Sequence, residues 1–332
     1  QPQRMLEVFF LSVGQGDAIL IQLPDERRIL IDGGANAEAH EFIRNKYRLD
    51  KPENFIDFDA VVATHSDADH AAGLIPVLHD EKIAVRRFLH NGLFPGEFHR
   101  RGDRVIGLLD DPCEGPRGHL SPSMKRLALA LDAARENLPR AVAAMRAQGR
   151  ETAPDAPLLC RRLDRSQGVL EGFGQGEPKL EVLWPSASGK GAEASYAWYG
   201  SSAGETVNGN SVVLKLTHGA HSLLLAGDLN EPSMKEVAAV HGEGLRAQVY
   251  KAAHHGSQHF DDGFLELVRP DAAIISAGDD RNDQHGHPRA ELLGSIVHAS
   301  RCRRPAIFVT ELACCYRPLS KTQMRSFKAS SG

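Results

Sequence analysis

The chain has 332 residues, 42% hydrophobic and 25% charged, and its 39 Lys and Arg against 43 Asp and Glu leave a formal net charge of −4. That is enough apolar material for one large buried core or two smaller ones, and the mild acidity excludes a protein coated with nucleic acid while leaving room for a local basic patch. The longest apolar stretches, SVVLKL and HSLLLAG, fall far short of the roughly 20 residues of a membrane span, so no membrane partner is expected.

In chain order, MLEVFFLSVGQGDAILIQLP and RRILIDGG read as a meander of strands, AHEFIRNKYRL as a helix, and FDAVVA as a buried strand. The loop THSDADH follows, then a helix in AAGLIPVLHD and a strand in VRRFLHNG. Residues 95–178 break the rhythm with Gly, Pro and Arg-rich turns around one helical stretch, PSMKRLALALDAARENLPRAVAAMRAQG, in which Pro139 predicts a kink or boundary. Strand patterns resume at KLEVLWP, NSVVLKLTHG and AHSLLLAGD. They continue through the helix EPSMKEVAAVHG, the strand regions AQVYKAAHHGS and AAIISAG, the helix HPRAELLGSIVHAS and the strand AIFVTELAC. The reading is therefore residues 1–94 as one half, 95–178 as a partly helical insertion, and 179–332 as a second half. Together they suggest two sheets with helices outside. Cys113, Cys160, Cys302, Cys314 and Cys315 have no regular spacing and fit a reducing cytoplasm.

THSDADH places His65, Asp67, Asp69 and His70 in one turn after a strand. One such residue is ordinary loop chemistry, a cap or a backbone hydrogen bond. Four at that spacing are a set of imidazole and carboxylate ligands that a strand-to-helix turn can aim at one point. Three later strands also end in ligand-type residues: LLLAGD in Asp228, VYKAAHHGS in His254 and His255, and IISAGDDRNDQHGHP in His285 and His287. The repeated pattern carries side chains to the carboxyl ends of strands, where open sheets collect their ligands.

The series GQGDAILIQ, ILIDGG, THSDADHAAGL, NSVVLKL, LLLAGD, AAHHGS and GHP resembles the metallo-β-lactamase fold superfamily. More narrowly, it resembles the hydrolase domain at the carboxyl end of the ComEC/Rec2 competence proteins. The resemblance covers about residues 5–94 and 178–312 and implies an α/β, four-layer αββα sandwich. It also implies a site for one or two divalent ions, with His65 and Asp67 on the first, Asp69 and His70 on the second, Asp228 between them and His254 completing the second. The superfamily's usual HxHxDH has an aspartate, Asp67, in its second position here, and the region before Asp228 offers Asn208 and Asn210 rather than a further His, so the first site is expected to be the weaker. Three imidazoles and three carboxylates form a harder set than His-rich zinc sites, which makes Mn²⁺ a rival to Zn²⁺. Asp69 is expected to be catalytic through the metal. His287 in GHP is expected to protonate the leaving group or bind phosphate, and His255, Ser257, Asn210 and His285 to support the ligands or touch substrate. Asp17 and Asp32 are expected to cap turns and support the site.

The activity implied is a metal-dependent phosphodiesterase or nuclease, with DNA as the partner. Between residues 117 and 168 ten Lys or Arg face five acids, and with RRFLH and HRRGDR they could track a phosphate backbone, Arg126, Arg135 and Arg146 being the leading contacts and Arg161 and Arg162 the next. Two alternatives stand beside it: a small-molecule phosphodiester or lactone hydrolase with the insertion as a lid, and a regulatory or effector subunit with an incomplete metal site that meets a protein partner through the insertion.

Overall fold

The structure, a computed structural model, describes residues 5–114, 121–150, 152, 155–173, 177–278 and 286–311. The first half supplies β1 (Glu7–Phe10), β2 (Ile19–Gln22), β3 (Arg28–Ile31), α1 (Glu38–Lys46), β4 (Ile56–Phe58), β5 (Ala60–Ala63), α2 (Ala68–Ala71), α3 (Leu74–His79), β6 (Ile83–Val85) and β7 (Arg87–His90). The middle supplies β8 (His99–Arg101), β9 (Arg104–Ile106), α4 (Pro122–Ala147) and β10 (Leu159–Arg162). The second half supplies β11 (Lys179–Trp184), β12 (Tyr196–Ala197), α5 (Ala203–Gly209), β13 (Val213–His218), β14 (His221–Leu225), α6 (Glu231–His241), β15 (Val249–Lys251), α7 (Asp262–Val268), β16 (Ala272–Ile275), α8 (Ala290–Ala299) and β17 (Ala306–Val309).

Two six-stranded sheets, ordered β1-β2-β3-β5-β7-β10 and β11-β13-β14-β15-β16-β17, pack face to face. The strands are apolar on both faces because both faces are covered. Ile19, Ile21, Ile29, Ile31, Ala60, Val62 and Leu89 of the first sheet meet Leu180, Val182, Leu214, Leu216, Leu223 and Leu225 of the second. The alternate residues Leu20, Leu30, Val61 and Phe88 point outward against α3 and α4, and Val213, Leu224, Tyr250 and Ala273 point outward against α6, α7 and α8. This period-2 division makes the αββα sandwich.

Residues 95–178 do not stand apart from that core. Leu127, Leu131, Leu138 and Met145 of α4 are buried with Val61 and Phe88 of the first sheet, and β10 extends that sheet in parallel with β7. The helix runs through Pro139 to Ala147 rather than ending there. Ser121 caps it by accepting from the Met124 amide, and Pro122 sits in the first turn, where its missing N–H costs nothing. A third small sheet, β12-β9-β8, sits against α5, with Val105, Tyr196 and Val207 buried together. No helix among the described residues is long and apolar enough to cross a membrane.

Candidate metal centre

Every side chain of the central cluster hangs from the carboxyl end of a strand or the turn after it: Asp32 after β3, Thr64 to His70 after β5, Asp228 after β14, His254 and His255 after β15, and Ser276 after β16. The strands β3 and β5 run parallel, as do β14, β15 and β16, so two crevices open at one edge of the sandwich. The turns there are bent in unusual ways. Asp32 has φ 56°, and His254 and His255 have φ 48° and 54°, consecutive left-handed residues that cost energy and turn the two rings in different directions. Gly256 follows at φ 86°, where an added Cβ would lie 2.7 Å from Cβ of Pro288.

Three buried histidines are oriented by what their Nδ1 atoms meet. Thr64 Oγ1 donates to Asp32 Oδ2 at 2.7 Å, which leaves its oxygen to accept from His65 Nδ1 at 3.1 Å. His70 Nδ1 donates to Asp32 Oδ2 at 2.8 Å, and His255 Nδ1 donates to the Ser276 carbonyl at 3.0 Å. Carboxylates and carbonyls only accept, so in neutral rings the proton sits on Nδ1 and the lone pair on Nε2. Those Nε2 atoms converge. His70 Nε2 lies 3.2 Å from His255 Nε2 and 3.2 Å from Asp228 Oδ1, while His255 Nε2 lies 3.3 Å from Asp69 Oδ2. Ligand atoms of Asp69, His70, Asp228 and His255 all fall within 4.8 Å of one another.

Electron pairs this close, away from water, need positive charge among them. His65 Nε2 and Asp228 Oδ1 are buried and accept or donate no hydrogen bond, so the protein itself leaves places at the centre unfilled. This donor set fits a divalent ion. Without one, burial opposes charge on His70 and His255, but Asp228, Asp32 and Asp17 overcome it and raise both rings well above the ordinary imidazole range. His65 is different: burial, reinforced by His70, pushes it down to about 3. A second, sparser group surrounds it, with Nε2 of His65 at 3.8 Å from Asp67 Oδ2 and 3.9 Å from Asp228 Oδ2. Asp67 is partly exposed, and burial together with Asp69 raises its carboxyl to about 6.

Beneath the cluster, Lys251 is 1% exposed and places Nζ 2.8 Å from Asp17 Oδ1, which in turn lies 3.5 Å from His255 Nδ1. Ser211 Oγ accepts from the Asp228 amide at 3.1 Å and lies 3.4 Å from His65 Nδ1. These supporting groups answer the need of ligands for outer partners.

The structure thus brings His65, Asp67, Asp69, His70 and Asp228 together, and of the His254–His255 pair it turns His255 into the cluster. His254 Nε2 stands 4.0 Å from Asp228 Oδ2, and its ring faces a neighbouring cavity of about 520 Å³ with His287, Ser257 and Arg289 on the wall. His287 is 8% exposed and accepts at Nδ1 from the Gln15 side-chain amide at 3.2 Å, its ring centroid 6.0 Å from that of His254. Ser257 Oγ accepts from the His259 amide, so it shapes the turn while lining the cavity. Asn210 is buried, and its Nδ2 donates to the Ala197 and Thr206 carbonyls. His285 lies outside the described residues. The sequence points to Asp17 and Asp32 as supports of the site and singles out neither Lys251 nor Ser211. Asp32 in IDGG and Lys251 in YKAAHH had a usable signal, a charge at the inner end of an apolar strand, whereas Ser211 had none.

A two-sheet αββα sandwich with a histidine and aspartate cluster at its crevice is a recognisable class of metalloprotein. The family model described as the metallo-beta-lactamase superfamily matches residues 11–191, and the chain belongs to that superfamily. It is 25% identical over 302 residues, 86% of this chain and 30% of the other, to ComE operon protein 3 of Bacillus subtilis (strain 168). It is 38% identical over 72 residues, 21% of this chain and 10% of the other, to competence protein ComA of Neisseria gonorrhoeae. The chain therefore spans less than a third of the length of these curated relatives. Among solved structures, CmlA, a diiron beta-hydroxylase from Streptomyces venezuelae, aligns at a TM-score of 0.43 and 14% identity, over 94% of this chain and 53% of that one. Membership places this chain with the metal-dependent hydrolases of the superfamily.

Proposed function

We propose that the protein is a metal-dependent phosphodiesterase that cleaves DNA. The observation that carries the hydrolytic part is the convergence of the His70, His255, Asp69 and Asp228 ligand atoms on one buried point, with His65 and Asp67 beside it. A divalent ion there would polarise a phosphoryl oxygen and acidify water, and the carboxylate-rich set leaves both Mn²⁺ and Zn²⁺ suitable. His287 adds a hydrogen-bond donor: its Nδ1 accepts from Gln15, so Nε2 carries the hydrogen and can donate it in a hydrogen bond to a phosphate oxygen in the cavity.

The phosphodiester part rests on likeness to the two competence proteins and on charge near the cavity. Arg135 and Arg146 of α4 are engaged by Asp111, Asp132 and Asp155, and Arg161 and Arg162 by Glu171 and Asp110. That favours a structural role for these four. Arg126 remains exposed on α4. The hairpin β8–β9 offers a better track: His99, Arg100 and Arg101 are exposed, and the Arg100 guanidinium lies 5.0 Å from the Trp198 ring centre, two residues from Gly200 on the cavity wall. Cation and aromatic side by side suit a nucleic-acid strand.

The test is cleavage of linear and circular DNA, RNA and a lactone with Mn²⁺ or Zn²⁺. Asp69→Ala should abolish DNA cleavage while DNA binding persists. Joint Arg100→Glu and Arg101→Glu should weaken binding and lower the salt slope by about one phosphate contact per arginine. A lactone cleaved in preference, with no salt dependence on DNA, would replace this reading.

A further inference from the structure

The cavity next to the metal cluster contains one charged group that nothing among the described residues employs. Its walls include Gly200, Glu205, Asn208, Glu231, His254, His287 and Arg289. Glu205 is committed: its Oε2 accepts from the Ser201 and Ser202 amides and from both hydroxyls, closing the cap of α5. Glu231 is committed as well, to Lys235 one turn along α6 at 2.6 Å. Arg289 is not. Among the described residues no carboxylate pairs with it, and its Nε is buried without a hydrogen-bond partner. A guanidinium is always charged and presents five donors in a plane, so a buried, unanswered Nε on a cavity wall is costly unless a ligand answers it. The Asn208 Oδ1 on the wall is also buried and unanswered.

The chain fixes Arg289 in place relative to the metal ligands. Its amide donates to the Gly256 carbonyl at 2.8 Å, one residue after His255, and the neighbouring Pro288 packs against Gly256. The same short turn therefore aims His255 at the metal cluster and anchors the backbone of Arg289 at the cavity. The imidazoles of His254 and His287 line the space with it.

We infer that Arg289 is the anchor of a phosphate-binding subsite in this cavity, gripping a phosphate of the substrate through paired N–H donors while Asn208 takes a hydroxyl of the sugar. This deepens the phosphodiesterase reading and rests on it for the identity of the substrate, but the subsite is defined by this chain's own residues. It makes the enzyme selective for nucleotide phosphate over neutral esters.

Calorimetric titration of the metal-loaded protein with thymidine 5′-monophosphate, inorganic phosphate and thymidine tests it, alongside hydrolysis of bis(p-nitrophenyl) phosphate. Arg289→Gln should weaken thymidine 5′-monophosphate about tenfold or more, and Arg289→Lys by less, since a point charge replaces a fork. Asn208→Ala should weaken the nucleotide and leave inorganic phosphate unaffected. Equal affinity of wild type and Arg289→Gln for thymidine 5′-monophosphate, with melting temperature and metal content unchanged, overturns the subsite even if the diester is hydrolysed. A clear loss of nucleotide binding in Arg289→Gln, in a protein that hydrolyses no diester, upholds the subsite and removes the phosphodiesterase reading instead.

Discussion

At the level of single residues, the site is controlled by which ring nitrogen each histidine gives away. His65, His70 and His255 are adjacent to acceptors at Nδ1, so their Nε2 lone pairs face the carboxylates of Asp69 and Asp228. His254 has no such neighbour: its Nδ1 is buried without a hydrogen-bond partner, and its ring stands at the cavity. This sets up a sharp comparison between adjacent residues of one motif. His255→Ala should lower metal occupancy by an order of magnitude or more in elemental analysis after dialysis, because it removes a ligand, whereas His254→Ala should keep near-normal occupancy. Equal loss in the two variants would mean that the left-handed turn can present either ring. Asp32→Asn should give an intermediate loss of about 10- to 100-fold in metal affinity, since an amide has one acceptor oxygen where the carboxylate uses two, Oδ1 for the Thr64 amide and Oδ2 for Thr64 Oγ1 and His70 Nδ1.

At the level of elements, α3 is the brace behind the ligand turn, and its end is tied down by Asp80. This carboxylate follows the last residue of α3, accepts from the Lys82 amide at 3.0 Å and from His40 Nε2 at 2.8 Å, and pairs with Arg44 of α1. Burial opposes its charge, yet the bonds from His40, Lys82 and Arg44 win and hold it at about 2, below the ordinary carboxylate value. A folded pKa below the unfolded one gives stability that is present above about pH 4 and lost as pH falls toward 2. Asp80→Ala should accordingly cost ~2 kcal/mol at pH 7, and the difference from wild type should shrink in denaturant titrations at low pH. An unchanged difference at pH 3 would assign the effect to packing. The same scale explains why α4 belongs to the core: its buried Leu and Ala stripe packs on α3 and on strands β4 and β6, within the outer core of the first sheet.

For the whole molecule, the candidate metal centre joins two halves that have separate outer cores and share one inner core. His65, Asp69 and His70 come from the first half, and Asp228 and His255 from the second. A ligand that bridges both binds only when both are folded, so metal at about 100 times its dissociation constant should add ~2.7 kcal/mol, and chelation should lower the melting temperature in a single cooperative transition. Two separate transitions after chelation would show that the inner face between the sheets does not couple the halves by itself. An unchanged melting temperature would argue against a bridging ion.

The sequence by itself determined the strands, their carboxyl-end ligands and the superfamily, because buried strands have a short local code: runs such as ILID, AVVA and SLLL carry their burial in adjacent residues, and THSDADH carries four ligand types in one turn. It could also order the motifs along the chain. Which ring of the His254–His255 pair lies against Asp69 and His70 needed the tertiary structure, since adjacent residues differ only in how φ of 48° and 54° turns their rings. The engagement of Arg135, Arg146, Arg161 and Arg162 by acids also lay beyond the sequence, because three of their partners, Asp110, Asp111 and Asp155, are 9 to 52 residues away in the chain. The same holds for residues 95–178: their irregular, Arg-rich composition reads as an insertion, but the apolar stripe of α4 packs on α3 and β6, elements far before it in the chain, a contact that no local pattern encodes.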